Sequence, residues 1–180
     1  MAYQNPSISF TAEFKMPRVQ MKGRKLEDAQ DAATQAFSSG VANGISNASK
    51  AMLPALNEAM AQSVWAWPNV TIRKNTSEVS APRDIIDTVN LRDSSDVTHN
   101  LSGTGGTITA TYTAPYAAIT HYGGMIRPYG RKTGDTFVLP ARPWISSMLT
   151  GKNGIEQFKV LDYVDKAVKI SWSNRYKSSA

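Results

Sequence analysis

The chain has 180 residues, a formal net charge of +6 from 20 Lys and Arg against 14 Asp and Glu, and no cysteine. A chain of this length is expected to fold as one domain, and the missing thiols exclude disulfides, thiolate metal sites and cysteine nucleophiles. No apolar run approaches the roughly 18 residues that cross a bilayer, and the opening MAYQNPSISF lacks the features of a signal peptide, so we expect no membrane association.

The first segment, 1–25, is polar, with a partial alternation of apolar residues at Ile8, Phe10 and Phe14. We interpret it as a basic N-terminal arm or an edge strand. Five basic residues cluster in 15–25, a density that suits contact with nucleic acid or an acidic protein surface. A solvated terminus that aids solubility explains the cluster equally well.

Helical spacing of apolar residues begins at Leu26, and Gly40 and Gly44 then predict a break in the helix. A stronger stripe follows, with apolar residues three or four apart on one face. Pro54 lies inside this stripe, yet the register continues on both sides, which favours one kinked helix over two separate helices. We interpret the stripe as a core helix on a sheet, ending near Trp65. Its members are Ile45, Ala48, Met52, Leu56, Met60 and Val64.

Strands are expected in the middle of the chain. Residues 69–74 alternate between apolar and polar and predict a short, half-buried strand. The clearest hairpin pairs 96–102 with 107–114, because the second arm is rich in β-branched residues and a GTGG turn at 103–106 separates the two.

Two short helices are expected around these strands. Leu91 is the apolar residue of a helical turn that Asp87 or Thr88 can cap. Pro115 can open a second short helix that continues through His121, and a Gly-Gly pair follows to end it.

The C-terminal part predicts a strand at Thr136–Leu139 and a helix that starts at Trp144 and stops at Gly151. Residues 155–168 place apolar side chains on one face and predict a closing helix, with a strand at its end as the alternative. The sequence thus predicts an α+β fold: a long kinked N-terminal helix packed on a small antiparallel β-sheet, with short helices and a C-terminal helix. We expect a single domain over 26–172, preceded by the arm 1–25 and followed by a tail, 173–180.

No catalytic, cofactor or metal motif is found in the sequence. His99 and His121 are the only histidines, and neither has an acidic partner at short spacing, whereas zinc sites generally use three or four side-chain ligands. Asp84, Asp87 and Asp93 could supply a carboxylate pair or a metal cradle, but capping and turn roles explain all three. We expect a protein that is not an enzyme, with no catalytic residues, no cofactor and no metal; a hydrolase is an alternative without positive support.

Three segments occur in an order that resembles the virion-morphogenesis, tail-completion and neck (head–tail joining) proteins of tailed bacteriophages. They are RDIIDTVNLRDS at 83–94, YAAITHYGG at 116–124 and PARPW at 140–144. The family patterns that they resemble are RDxxDTGxLxxS, YAxxHxxGG and PARPF. Val89 stands where the family has Gly, His121 lies one residue later than the His of the second pattern, and Trp144 stands where the family commonly has Phe.

The resemblance implies a structural virion protein that joins head to tail and lets DNA pass. It implies a homo-oligomeric ring of about six or twelve copies, in contact with the portal or connector and with tail-tube or sheath proteins, and touching phage DNA transiently and without specificity. The expected location is the neck or tail of the virion, after assembly in the cytoplasm of the bacterial host. The alternatives are a connector (adaptor) ring bound directly to the portal and, from another class, a basic nucleic-acid-binding module.

A head-to-tail ring requires two different complementary patches on each subunit. The hairpin with its Gly-rich tip and the insert 125–136 are candidates for reaching a neighbour. The prolines of 140–144 hold a rigid corner, and tyrosine offers the broad apolar face with a polar tip that subunit contacts favour. Core packing of the tyrosines and the tryptophan is an equally good explanation. The interface candidates are Tyr116, Tyr122, Arg127, Tyr129, Arg131, Lys132, Arg142 and Trp144.

Overall fold

The computed structural model describes residues 7–12, 24–67, 71–72, 76–79, 82–86, 90–102, 105–126 and 136–177. These residues form an α+β fold with a long N-terminal helix, small antiparallel sheets, short helices and a C-terminal helix, which confirms the predicted class. The elements are β1 (Ser7–Ala12), α1 (Arg24–Ala61), β2 (Thr71–Ile72), β3 (Glu78–Val79), α2 (Asn90–Asp93), β4 (Ser95–Ser102), β5 (Gly105–Tyr112), α3 (Ala117–Tyr122), β6 (Gly124–Ile126), β7 (Phe137–Leu139), α4 (Trp144–Thr150) and α5 (Val160–Lys177).

The chain divides into two compact units, whereas the sequence predicts one domain. The first, which we call the motif unit, contains the described residues of Leu53–Asp96 and Thr111–Phe158. All three segments that carry the family resemblance lie in it. The second, which we call the sheet unit, contains those of Ile8–Met52, Val97–Ala110 and Lys159–Ala180.

In the sheet unit, the first part of α1 packs on a three-stranded sheet of order β1-β5-β4. Gly106 of β5 lies close to the helix, because a Cβ built there would be 3.0 Å from Cδ1 of Ile45; it would also be 2.7 Å from the carbonyl oxygen of Asn100 in β4. Buried Ile108 and Ala110 continue the same face of β5. The predicted hairpin is confirmed, and β1 occupies an edge of the sheet, as the edge-strand interpretation expects.

The predicted break at Gly40 and Gly44 is wrong, because α1 runs without interruption from Arg24 to Ala61. Both glycines lie against α5: a Cβ at Gly40 would be 2.6 Å from Cα of Val168, and one at Gly44 would be 2.5 Å from Cα of Val164. The glycines therefore serve close packing of two helix backbones rather than ending a helix.

The motif unit is built around buried side chains of α1, α4 and the connecting segments, including Leu56, Met60, Trp65 and Met148. Here α1 passes through Pro54 as one helix, as predicted, and ends at Ala61, earlier than expected. The buried aromatic Trp65 is fixed by its indole, which donates to the carbonyl of Ala59 at 3.0 Å.

Two glycines end the short helices of the motif unit where the sequence predicts. Gly123 follows α3 with φ 74°, and a Cβ there would lie 2.7 Å from the backbone nitrogen of Ala141. Gly151 ends α4 in the left-handed conformation, with its N–H donating to the carbonyl of Ser147 at 2.8 Å. Such positions favour glycine because a side chain disfavours positive φ.

Other predictions concern the C-terminal elements, the helix caps and the N-terminal arm. The predicted strand at 136–139 is confirmed as β7, which pairs with β6, a strand that the sequence does not predict. The alternative of a strand near 170 is wrong, because α5 remains helical to Lys177. The caps at Asp87 and Thr88 lie outside the described residues, as do 1–6 and 13–23 of the predicted arm. No helix in the described part of the chain is long and apolar enough to cross a membrane.

Candidate functional site

A tryptophan stacked between two arginines lies at the centre of the motif unit. The guanidinium carbon of Arg83 is 3.3 Å from the ring centroid of Trp67, and that of Arg142 is 3.5 Å from it. At such distances one guanidinium occupies a whole ring face, so the two arginines lie on opposite faces. The exposed fraction is 3% for Arg83 and 1% for Arg142, so both charges are inside the protein.

The backbone fixes this stack through all three resemblance segments. Arg83, from the first segment, exchanges two backbone hydrogen bonds with Trp65, at 3.0 and 3.1 Å. Arg142, from the third, donates its backbone N–H to the carbonyls of Thr120 and His121 in the second, each at 3.2 Å. Segments distant in sequence are thus joined at one place.

A cavity of about 360 Å³ opens beside the stack. Its wall is mostly apolar, and its polar members are Asn90, Arg92, Thr120 and Arg142, together with the indole of Trp67. The apolar members are Met60, Ile85, Ile86, Leu91, Ile119, Ile126 and Leu139, with Tyr116 at the same wall.

Two buried donor atoms of the stack have no acceptor among the described residues. Arg142 uses its Nε to donate to the carbonyl of Ala66 at 2.9 Å, but its Nη2 is buried without a hydrogen-bond partner there. The Nε1 of Trp67 is also buried without one. Burial, and then repulsion from Arg83, lowers the pKa of Arg142 to about 10, so the guanidinium stays charged at neutral pH.

A second aromatic cluster forms part of the core next to the third segment. The ring of Trp144 meets His121 edge-on at 4.6 Å and Tyr112 at 5.4 Å between centroids. Burial lowers the pKa of His121 to about 4 and raises that of Tyr112 to about 12, so both are neutral at pH 7. Neutral aromatic rings packed edge to face stabilise a core.

Among the described residues, the other histidine and the aspartates form no metal-binding group. His99, in the sheet unit, shares a hydrogen bond of 3.1 Å between its Nδ1 and Oγ of Ser49. Within the described ranges no group of three or more His, Asp or Glu side chains is placed to hold a metal ion.

An exposed apolar patch lies on the ribbon formed by β6 and β7. Met125 and Val138 are directly opposite each other in the register, with exposed fractions of 67% and 66%. Tyr122, two residues before β6, is 62% exposed. We call these three residues the ribbon patch. Two exposed apolar side chains paired across a ribbon, with an exposed aromatic ring two residues before it, suit a protein contact surface.

The predicted interface residues fall into three groups. Tyr116 and Tyr122 are exposed, so both can take part in contacts. Arg142 and Trp144 are corrected to core residues: each is 1% exposed, because Arg142 stacks on Trp67 and Trp144 packs among aromatic rings. The remaining candidates lie outside the described residues; they are Arg127, Tyr129, Arg131 and Lys132.

Sequence reasoning missed Trp67, Arg83 and Val138 as members of these sites, whereas Met125 begins the insert that the sequence offers for contact with a neighbour. The first resemblance segment begins at Arg83, so its position is a signal for that residue. No such signal marks Val138, which becomes a neighbour of Met125 only through strand pairing.

Comparison with known proteins finds no matching family model, no matching curated protein and no matching solved structure.

Proposed function

We propose that this chain is a structural subunit of the neck or tail-completion region of a tailed-phage virion. In this role it forms a ring that joins head to tail and lets DNA pass, and it catalyses no reaction. The observation that supports this most is the convergence of the three resemblance segments at the Arg83–Trp67–Arg142 stack. Three segments that meet at one place in the structure support the proposed role more strongly than three short motifs taken separately.

The chemistry of the stack suits a structural role. A tryptophan fixed between two buried guanidinium groups cannot rotate without losing both cation–π contacts. The backbone hydrogen bonds from Arg142 to α3 join the proline corner at 140–143 to this helix. The last residue of α3, Tyr122, belongs to the ribbon patch. The patch is therefore presented in a fixed orientation, which repeated identical contacts in a ring require.

The ribbon patch supports contact between copies. Its three members are large, apolar and more than half exposed, and such residues lower the free energy of a complex when a partner covers them. In a head-to-tail ring the patch of one subunit would meet a different surface of the next.

The proposal is tested by assembly. In the phage that encodes the chain, heads and tails made without it are mixed with the purified protein. We expect joined particles to form only when the protein is added, and electron microscopy to place it as a ring at the junction. Joining that proceeds equally well without the protein would refute the proposal. A ring that attaches to portal-bearing heads but never contacts tails would instead favour the connector alternative.

The nucleic-acid alternative is tested separately. Binding that depends on phosphate contacts weakens steeply with salt. If the chain binds DNA tightly at low salt but neither forms rings nor supports joining, a nucleic-acid-binding module explains it better.

A further inference from the structure

We propose that β4 pairs edge to edge with β4 of a second copy of this chain, in antiparallel orientation about a twofold axis at Thr98. The contact uses β4 and no residue of the ribbon patch, so it does not depend on the proposed ring. The two contacts can therefore be tested separately.

The outer side of β4 has no strand partner in the described part of the chain. The sheet order is β1-β5-β4, so β4 is an edge strand that pairs with β5 alone. Its exposure agrees with an open edge, because every residue from Thr98 to Ser102 is exposed, including Leu101 at 44%. Backbone donors and acceptors along such an edge are a ready template for another strand.

The strand also lacks the features that protect edges from pairing. Proteins commonly block an edge with proline, with lysine, with a bulge or by keeping the strand short. The β4 sequence SDVTHNLS has eight residues and contains no Pro, Lys or Arg, and Asp96 is its only acidic residue. An unprotected edge of this length is suited to being covered by another strand.

The hairpin determines which residues of β4 point their backbone groups outward. Ser94, just before the strand, accepts a hydrogen bond from the N–H of Thr113 at 3.0 Å. The carbonyl oxygen of Asn100 lies 2.7 Å from a Cβ built on Gly106 of β5. Because the direction of these groups alternates along an antiparallel strand, even-numbered residues face β5 and odd-numbered residues face outward. The outward set is Ser95, Val97, His99 and Leu101.

This outward set is symmetric about Thr98, and the symmetry makes a second copy the fitting partner. In an antiparallel pair centred on Thr98, Val97 lies opposite His99 of the second copy, and Ser95 lies opposite Leu101. Every outward N–H and C=O group then has a partner, with about eight hydrogen bonds between the two strands. A register shifted in either direction would leave some of these groups unpaired.

The side chains are compatible with the same register. Asp96 lies opposite Asn100 of the second copy, so no like charges face each other. Leu101 is the diagonal neighbour of Val97 of the second copy, within reach of a long side chain, so pairing covers an exposed apolar residue. Thr98 lies opposite its own equivalent, and threonine pairs are favourable across strands.

Single cysteines test the twofold register, because the chain has no cysteine of its own. The two Thr98 residues would form a non-hydrogen-bonded pair with Cα atoms about 4.5 Å apart, within the range for a disulfide. We expect Thr98→Cys to give a disulfide-linked dimer on mild oxidation, seen by non-reducing gel electrophoresis. In Ser102→Cys, an exposed control on the same strand, the equivalent Cα atoms would be roughly 27 Å apart, so linking should be about tenfold slower or less. No linked dimer with Thr98→Cys, or equal rates in the two proteins, would overturn the proposal.

Charge variants provide a test that loss of folding cannot imitate. Thr98→Lys and Thr98→Glu each place like charges opposite each other, so each protein alone should self-associate about three- to tenfold more weakly in sedimentation experiments. An equal mixture of the two should recover the association of the original chain, because the lysine then faces the glutamate. Asn100→Lys, which would face Asp96, is the matched control and should associate at least as well as the original chain.

Two results of the charge experiment would overturn the proposal. One is a mixture that associates no better than either Thr98 variant alone. The other is an original chain that shows no self-association up to about 1 mM, even where a head or tail component binds the same edge.

Discussion

Gly44→Ala gives the sharpest test of the packing between α1 and α5. Intrinsic helix propensity predicts that alanine stabilises the helix by about 1 kcal/mol relative to glycine. The structure predicts the opposite sign, because the new Cβ would lie 2.5 Å from Cα of Val164 and 3.1 Å from the carbonyl oxygen of Tyr163. These are backbone atoms, so relief requires the two helices to separate by about 1 Å and lose contact along their interface.

Overpacking of this kind typically costs about 1–3 kcal/mol and can exceed that where backbone must move. Because backbone atoms must move, we expect the upper part of this range, about 2–3 kcal/mol; after the propensity gain of about 1 kcal/mol is subtracted, Gly44→Ala should reduce the free energy of unfolding by about 1–2 kcal/mol. Urea denaturation followed by circular dichroism measures this change. Ser39→Ala, at an exposed position of the same helix, is the matched control and should be neutral or slightly stabilising. A Gly44→Ala protein at least as stable as the original chain would refute the packing argument.

Three further predictions address the motif unit. Burial lowers the pKa of His121 from 6.5 to about 4, so its contribution to stability is complete above pH 6.5 and is lost as the pH falls toward 4. The loss is about 3 kcal/mol at most, and equal pH slopes of stability in the original chain and in His121→Gln would contradict it. Gly123→Ala should lower the free energy of unfolding by about 1–3 kcal/mol in urea denaturation, because φ is 74° and the Cβ would meet Ala141; an unchanged denaturation midpoint would contradict this. Replacing Met125 and Val138 by serine should weaken self-association in sedimentation experiments and leave the melting temperature within a few degrees; association equal to that of the original chain would exclude the ribbon patch.

The local parts of the fold could be predicted from local chemistry. Gly151 and Gly123 end helices because the conformations there favour glycine, and Trp144 begins one directly after Pro143. The run at 107–112, rich in β-branched residues, forms most of β5, the strand next to β4. In each case the backbone preferences or side-chain shapes of the residues themselves explain the local structure.

The structural features that the sequence could not predict depend on contacts between distant parts of the chain. Gly40 and Gly44 resemble helix breakers until α5 is brought against them, and only then does the missing Cβ become a packing requirement. Arg142 resembles a surface residue because a charged side chain is rarely buried, yet its guanidinium packs on Trp67.

The exposed pair on the ribbon patch also depends on tertiary pairing. Met125 and Val138 are separated by a segment that includes 127–135, and nothing in either local sequence indicates that they are opposite each other. Short strands of three residues carry too little alternation to be recognised. The pairing of Met125 with Val138 therefore emerges only from the structure, whereas Tyr122 of the same patch is already an interface candidate from the sequence.

Native mass spectrometry of the purified chain at increasing concentration, alone and with the head and tail components, tests the proposed ring most directly. We expect one closed stoichiometry of about six or twelve copies. The Met125→Ser, Val138→Ser protein should shift the population toward monomer, whereas Leu161→Ser, an equally exposed apolar position in the sheet unit, should not. A chain that remains monomeric under every condition, including with both components present, would contradict the account.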